Sequence, residues 1–374
     1  MAINGNRKAG NGNGVAKKPV NVALQGGGSH GAFTWGVLDR LLEDGRLDIA
    51  AVSGTSAGAM NAVALADGWA RGGAEGARER LAEFWKAVAR KGRFSPVQRT
   101  PWDMLYGNWS VENSPGYIWF DAMSRVFSPY AANPFNFNPL REVVEREIRF
   151  ANLKSGRCMK LFISATNVET GRLRIFENEE LGADVVMASA CLPHYFQAVE
   201  IDGVPYWDGG YSANPPIFPF FRTTSTEDVL VVQINPAVRM EAPRSSQEIV
   251  NRINEITFNA SLIAEYRAIE FVRRLIDEGT LPRGTGAGEY RRINVHRIDL
   301  GFVGKRLTPA SRLNTDFDFF EMLYRAGRRA ARRFLDQHFD DIGVRSTIDL
   351  RDEMRAERGG KPPESKQEAA GAER

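Results

Sequence analysis

The apolar run Val20 to Leu24, interrupted only by Asn21, predicts a buried strand near the start of the chain. Beyond a glycine-rich loop, Phe33, Val37 and Leu41 recur at i, i+4 and i+8, with Leu38 and Leu42 beside them. That spacing predicts an amphipathic helix, and Gly45 stands where a C-terminal cap belongs. A second strand follows at Ile49 to Val52, and the small, apolar stretch from Ala59 to Ala66 predicts a second helix. Strand, helix, strand, helix in fewer than fifty residues predicts the α/β class: a mostly parallel sheet with helices on both faces. Leu81, Phe84, Trp85 and Val88 mark a further amphipathic helix.

The pattern then breaks. Residues 93–140 hold eleven aromatic residues and six prolines, Trp102, Tyr106, Trp109, Trp119, Phe120 and Phe127 among them. No regular helix–strand repeat accommodates that composition, so the stretch is read as an insertion. Two readings are open: an excursion packed on the core, or a wall over an apolar substrate pocket. Regularity returns with a helix from Asn138-Pro139 to about Phe150 and strands at Met159–Ala165 and Arg172–Phe176. A helix over roughly Gly182 to Ala190 precedes a hairpin, Ala198–Ile201 and Val204–Trp207, turning at Asp202-Gly203. Val229–Ile234 reads as another buried strand. A long helix from Ser246 to about Asp277, a strand from Ile293 to Leu300 and a last helix from about Asp316 to Phe339 complete the pattern.

Both ends differ from this middle. Residues 1–19 are rich in Asn and Gly and carry four basic side chains with no acid. Residues 351–374 mix six basic with six acidic side chains and almost nothing apolar. Disordered tails are therefore expected at 1–19 and 346–374. A catalytic domain is expected over 20–345, with its motifs in 20–235 and a helical extension over 236–345. The net charge of +3 is thus set by the first tail, and no basic fold motif points to nucleic acid. No stretch has the apolar length of a membrane span, and the N-terminus lacks the apolar core of a signal peptide. Two cysteines, Cys158 and Cys191, give neither a disulfide framework nor metal-ligand spacing. A cytoplasmic location with peripheral membrane contact is the expectation. On the last helix Arg325, Arg328, Arg329, Arg332 and Arg333 share one side, opposite Phe320, Leu323, Gly327, Ala331 and Phe334. That basic side is read either as a solvated face or as one that meets anionic lipid head groups.

Candidate chemistry gathers at three places. Gly54-Thr55-Ser56-Ala57-Gly58 is a G-x-S-x-G sequence between a strand and a helix. In that setting a sharp turn lifts the serine hydroxyl clear of the sheet, and the helix aims N–H groups at any developing oxyanion. The loop Gly26-Gly27-Gly28-Ser29-His30-Gly31 fits G-x-G-x-x-G, the dinucleotide-binding fingerprint, but the second strand lacks the acid that would hold a ribose. Read instead as an oxyanion cradle, its glycine N–H groups would lie beside Ser56, because loops after neighbouring parallel strands share one sheet edge. The serine needs a base. His30, His194, His296 and His338 stand in no triad context, whereas Asp208 sits at a strand end before Gly209-Gly210. A carboxylate in a poorly hydrated site can take a serine proton directly.

Together these residues resemble the patatin-like phospholipase family, which uses a Ser-Asp dyad. The resemblance rests on Gly26–Gly31, the elbow around Ser56, and Asp208-Gly209-Gly210. Ser189-Ala190-Cys191-Leu192-Pro193 and Asn214-Pro215-Pro216 also match, so the likeness spans roughly residues 20–235. It implies Ser56 as nucleophile, Asp208 as base, and Gly26, Gly27 and Gly28 with Ala57 as oxyanion donors. His30, Gln25 and His194 depart from the family's pattern. The implied activity is that of a lipid acyl hydrolase, of phospholipase A, lysophospholipase or carboxylester hydrolase type. It needs neither cofactor nor metal, since acidic calcium-style loops are absent. The expected partner is a lipid ester, a phospholipid or lysophospholipid. Three alternatives stay open: an acyltransferase with the same nucleophile, a silent lipid-binding module, and an oxidoreductase using the glycine loop.

Overall fold

The computed structural model describes residues 16–238, 242–244, 246–286 and 288–355. One eight-stranded sheet organises them, built from β1 (Lys18–Leu24), β2 (Leu47–Gly54), β3 (Lys160–Asn167), β4 (Leu173–Glu177), β5 (Val199–Ile201), β6 (Val204–Asp208), β7 (Asp228–Gln233) and β8 (Asn294–Asp299). Its order is β5-β6-β3-β2-β1-β7-β8, with β4 also paired to β3. Strands β3, β2, β1, β7 and β8 are mutually parallel, and β4, β5 and β6 run antiparallel to their neighbours. This is the expected mixed, mostly parallel α/β sheet.

Central parallel strands are covered on both faces, so their apolar runs have no polar alternation. Along β7, Leu230 and Val232 enter one core while Val229 and Val231 enter the other. The first core is filled by α1 (Gly31–Asp44), α2 (Ala57–Gly92) and the helix Phe317–His338. The second takes Leu262, Tyr266 and Ile269 from the helix Ser246–Asp277. Gly45, at φ 72°, ends α1 with its N–H on the Leu41 carbonyl, as the sequence predicts. Gly72 and Gly73 break the long second helix into the two helices expected from its apolar pattern.

The C-terminal region is integral to this architecture, supplying β7, β8 and much of both covers. Where α1 crosses the helix Phe317–His338, a Cβ on Gly36 would fall 2.0 Å from the Tyr324 carbonyl oxygen, and one on Gly327 would fall 2.1 Å from that of Phe33. Glycine at both points lets the backbones touch. The same contact corrects the reading of Arg328. Its guanidinium turns inward to Asp39 and Glu43, in a cluster that Arg78 joins at 2.9 Å from Asp39. Arg325, Arg329, Arg332 and Arg333 remain exposed.

The tail boundaries also shift. Lys18 and Pro19 belong to β1, pairing with Leu47 and Asp48. Residues 346–355 are anchored: the Thr347 amide donates to the Val295 carbonyl, and Leu350 is buried at the start of a short helix, Leu350–Arg355. The charged composition hid one apolar anchor. Residues 1–15 and 356–374, the rest of the expected tails, lie outside the described residues.

The insertion is helical, with Pro101–Leu105, Pro115–Val126 and Pro129–Ala132 each carrying proline in its first turn. Val97, Val111 and Tyr117 form a small core with Ala310. Trp109 lies between the Arg99 guanidinium, 4.2 Å from its ring, and Phe319, 5.3 Å between centroids. Other aromatics point outward, and Trp102, Trp119 and Phe135 are 69%, 65% and 93% exposed. Packed excursion and open apolar surface are therefore both present.

Candidate active site

Three strands meet where the chemistry was expected, and their register explains how. β2 pairs with residues 160–163 of β3, β6 with 165–167, and β4 with 162–166. A strand has two edges, so β2 and β6 must share one, end to end, with β4 on the other. They run in opposite directions, so their C-terminal ends face each other across Ser164: Gly54 opposite Ile163 and Asp208 opposite Ala165. The Ser164 hydroxyl fills that gap, 2.6 Å from Thr55 Oγ1. Ser56 and Asp208, 152 positions apart along the chain, are thereby delivered to one point.

Ser56 caps α2 at φ 53° and ψ −120°, a backbone that L-residues rarely adopt and that costs about 1–3 kcal/mol. Close packing holds it there, since a Cβ on Gly58 would lie 2.1 Å from the Leu24 carbonyl oxygen. The Ser56 amide donates to Ser189 Oγ at 2.9 Å, and the Asp208 amide donates to the Cys191 carbonyl at 2.8 Å. The segment Ser189–Cys191 therefore braces both residues at once.

Asp208 is buried, at 2% exposure. Its carboxylate accepts the Gly210 N–H at 2.7 Å and a hydrogen bond from the Ser56 side chain. Loss of hydration pushes its pKa up to about 7, against the downward pull of those two donors. The same burial, with the Asp208 charge second, pushes the neighbouring Cys191 thiol up to about 12. The histidines serve elsewhere. His30 Nε2 meets Ser311 Oγ at 2.8 Å, His296 meets Asp228 at 2.9 Å, His338 meets Asp341 at 2.9 Å, and His194 is exposed.

The glycine loop abuts the elbow: a Cβ on Gly26 would fall 2.8 Å from Ser56 Cβ. Its three glycines are not equivalent. The Gly26 N–H donates to Asn214 Oδ1 at 2.6 Å, so it is committed within the protein. The amides of Gly27, Gly28 and Ala57 find no acceptor among the described residues. Gln25 anchors the loop from below, its Oε1 accepting from the Ile234 and Asn235 amides and its Nε2 donating to Asn259. His30 ties the far side to the segment Pro309–Leu313. These two departures in sequence are thus loop anchors.

Sequence reasoning passed over Asn235 and gave no role to Asn214 or Ser189. Their signal was position: Asn235 follows the C-terminal end of β7, the sheet edge where open α/β sheets carry their sites. Phe258, on the helix Ser246–Asp277, packs its ring 5.4 Å from that of Tyr211 and covers Gly210. A cavity of about 530 Å³ lies apart from the dyad, between Trp109 and Ser110 of the insertion and Phe302, Leu307 and Met322. Among the described residues, no helix is long and apolar enough to cross a membrane.

A family model described as patatin-like phospholipase matches residues 22–221. The fold is similar to that of VipD from Legionella pneumophila, at 17% identity and TM-score 0.41, over 85% of this chain and 67% of that one. It is similar to the type III effector protein ExoU, at 14% identity and TM-score 0.36, over 86% of this chain and 54% of that one. ExoU in its complex with SpcU, from Pseudomonas aeruginosa, matches at 19% identity and TM-score 0.30, over 66% and 51%. The chain spans about half the length of ExoU. No curated protein sequence matches it.

Proposed function

The chain belongs to the patatin-like phospholipase family, a family of lipid acyl hydrolases, and from that premise we propose that it cleaves lipid esters through Ser56 and Asp208. The observation that carries the reading is the Ser56 side chain hydrogen-bonded to a buried carboxylate whose affinity for protons has risen into the neutral range. Ser56 Oγ attacks the ester carbonyl carbon while Asp208 takes its proton. The tetrahedral oxyanion is held by the N–H groups of Gly27, Gly28 and Ala57, with the dipole of α2 behind them. Gly26, also expected among the donors, is left out because Asn214 already occupies its N–H. The carbon–oxygen bond to the alcohol then breaks, and the alcohol leaves with the proton from Asp208. Water, deprotonated by Asp208, attacks the acyl-Ser56 ester; the fatty acid departs and the proton returns to Ser56.

A fluorophosphonate probe tests the reading, because only an activated serine reacts with it; peptide mapping should place the adduct on Ser56. The pH profile adds a second signature. Asp208 works ionised, so kcat/KM for a nitrophenyl acyl ester should rise about tenfold per pH unit and level off near pH 7, its raised pKa. A limb levelling near pH 4 would mean that the base is a hydrated carboxylate instead.

Contact with anionic membranes is the second part of the proposal. On the helix Phe317–His338 the exposed Arg325 pairs with Glu321 and Arg332 approaches Asp336, whereas Arg329 and Arg333 have no ion pair among the described residues. Reversing Arg329 and Arg333 to Glu should weaken binding to vesicles containing phosphatidylserine by on the order of tenfold or more. Arg328 is excluded because its charge is spent inside the fold. Unchanged co-sedimentation would return this face to solvent.

A further inference from the structure

Resting on the hydrolase reading, we propose that Asn235 is a positioning residue that aims the Gly27 N–H at the reaction's oxyanion. Its side-chain Nδ2 donates to the Gly26 carbonyl oxygen at 2.6 Å, and Asn235 is 1% exposed. That carbonyl and the Gly27 N–H belong to one peptide group. The peptide is planar and trans, so its C=O and N–H point in opposite directions. Holding the oxygen against Asn235 therefore turns the Gly27 N–H away from Asn235. The hydrogen bond also polarises the peptide and strengthens the N–H as a donor.

The plane is pinned at its other end as well. The Gly26 N–H, on the preceding peptide, donates to Asn214 Oδ1 at 2.6 Å, which fixes the Gly26 backbone one bond upstream. Asn235 is itself immobilised, because its own amide donates to Gln25 Oε1 at 2.8 Å. Gln25 thus grips the residue that grips Gly26, through a closed ring of contacts formed entirely below the loop. Glycine flanked by glycine has no side chain to resist rotation about φ and ψ. Without these clamps the peptide could flip and present its carbonyl oxygen to the oxyanion in place of the amide.

A role in orienting a transition-state donor has a kinetic signature that loss of packing lacks. Asn235→Ala should lower kcat for a nitrophenyl acyl ester by on the order of 10²-fold, with KM changed less than twofold. Affinity for a long-chain trifluoromethyl ketone, which adds to Ser56 and forms an oxyanion, should fall in the same proportion as kcat/KM. Affinity for the fatty acid product should stay constant. Asn235→Ser, which keeps a hydroxyl too short to reach the carbonyl, carries the same test if the alanine variant does not fold. Wild-type kcat in a folded variant overturns the role, as does a loss that appears in KM alone. A wild type inert toward both ester and fluorophosphonate overturns the hydrolase reading itself, a result distinct from either.

Discussion

Ser56→Ala is expected to lower kcat for lipid-ester hydrolysis by about 10⁴-fold or more while the melting temperature stays close to that of the wild type. The two halves of that expectation have separate origins. The hydroxyl is the atom that attacks, and no neighbouring histidine or cysteine can replace it, since the buried Cys191 thiol is held protonated with its pKa pushed up to about 12. The fold hardly registers the change, because alanine keeps the Cβ that sits against Gly26 and the amide that donates to Ser189. It also keeps the backbone strain at φ 53°. Ser56→Gly should be equally inactive yet more stable than the alanine variant by about 1 kcal/mol, since glycine tolerates a positive φ. Urea melts of the two variants beside kcat measurements make the check. Residual hydrolysis within tenfold of wild type in Ser56→Ala would rule out Ser56 as the nucleophile.

What made the elbow visible in the chain was local. An apolar run, G-x-S-x-G and a small-residue helix follow one another within twenty residues, Leu47 to Ala66, and sterics oblige such a sequence to turn sharply. The alternation of strands and helices fixed the parallel core for the same reason, as each element's partners are its chain neighbours. Asp208 was harder, since an Asp-Gly dipeptide commonly begins a turn. Its meaning comes from β6 taking up the edge of β3 where β2 leaves off, a matter of register between segments about 150 residues apart.

The features that sequence reasoning did not reach are all non-local. Gly26, Gly27 and Gly28 are identical as letters, and only the side-chain amides of Asn214 and Asn235 distinguish the committed N–H from the others. The arginine stripe was legible as a helical face, but Arg328 lies where that face meets Asp39 and Glu43 of α1, and this depends on the crossing at Gly36 and Gly327. Leu350 is one apolar residue in a charged stretch, and its burial follows from where β8 and the helix Ser246–Asp277 leave a gap. Composition averages over such positions and so misplaces the boundary.

Asp208→Asn should abolish hydrolysis and, at pH 8, stabilise the protein. Folding carries the carboxyl from a pKa of 3.8 to about 7, because burial penalises its charge more than the Gly210 amide and the Ser56 hydroxyl favour it. The sign follows from where the proton is. Below pH 3.8 the group is neutral folded and unfolded, and contributes no penalty. Between about pH 4 and 7 the folded state holds a proton that the unfolded state has released, so stability falls as pH rises. Above pH 7 both states are ionised and the full penalty is in force, on the order of 4 kcal/mol for three pKa units. Asparagine has the same shape, still accepts from Gly210 N–H, and bears no charge. Its advantage over wild type should therefore be several kcal/mol at pH 8 and vanish by about pH 4. Glu265, also buried with a pKa near 7, titrates alike in both proteins and cancels in the difference. Urea denaturation of the pair across that range reads the difference directly. A variant no more stable than wild type at pH 8 would mean that the carboxylate sits there ionised without penalty, and the serine would then be facing a base too weak to take its proton.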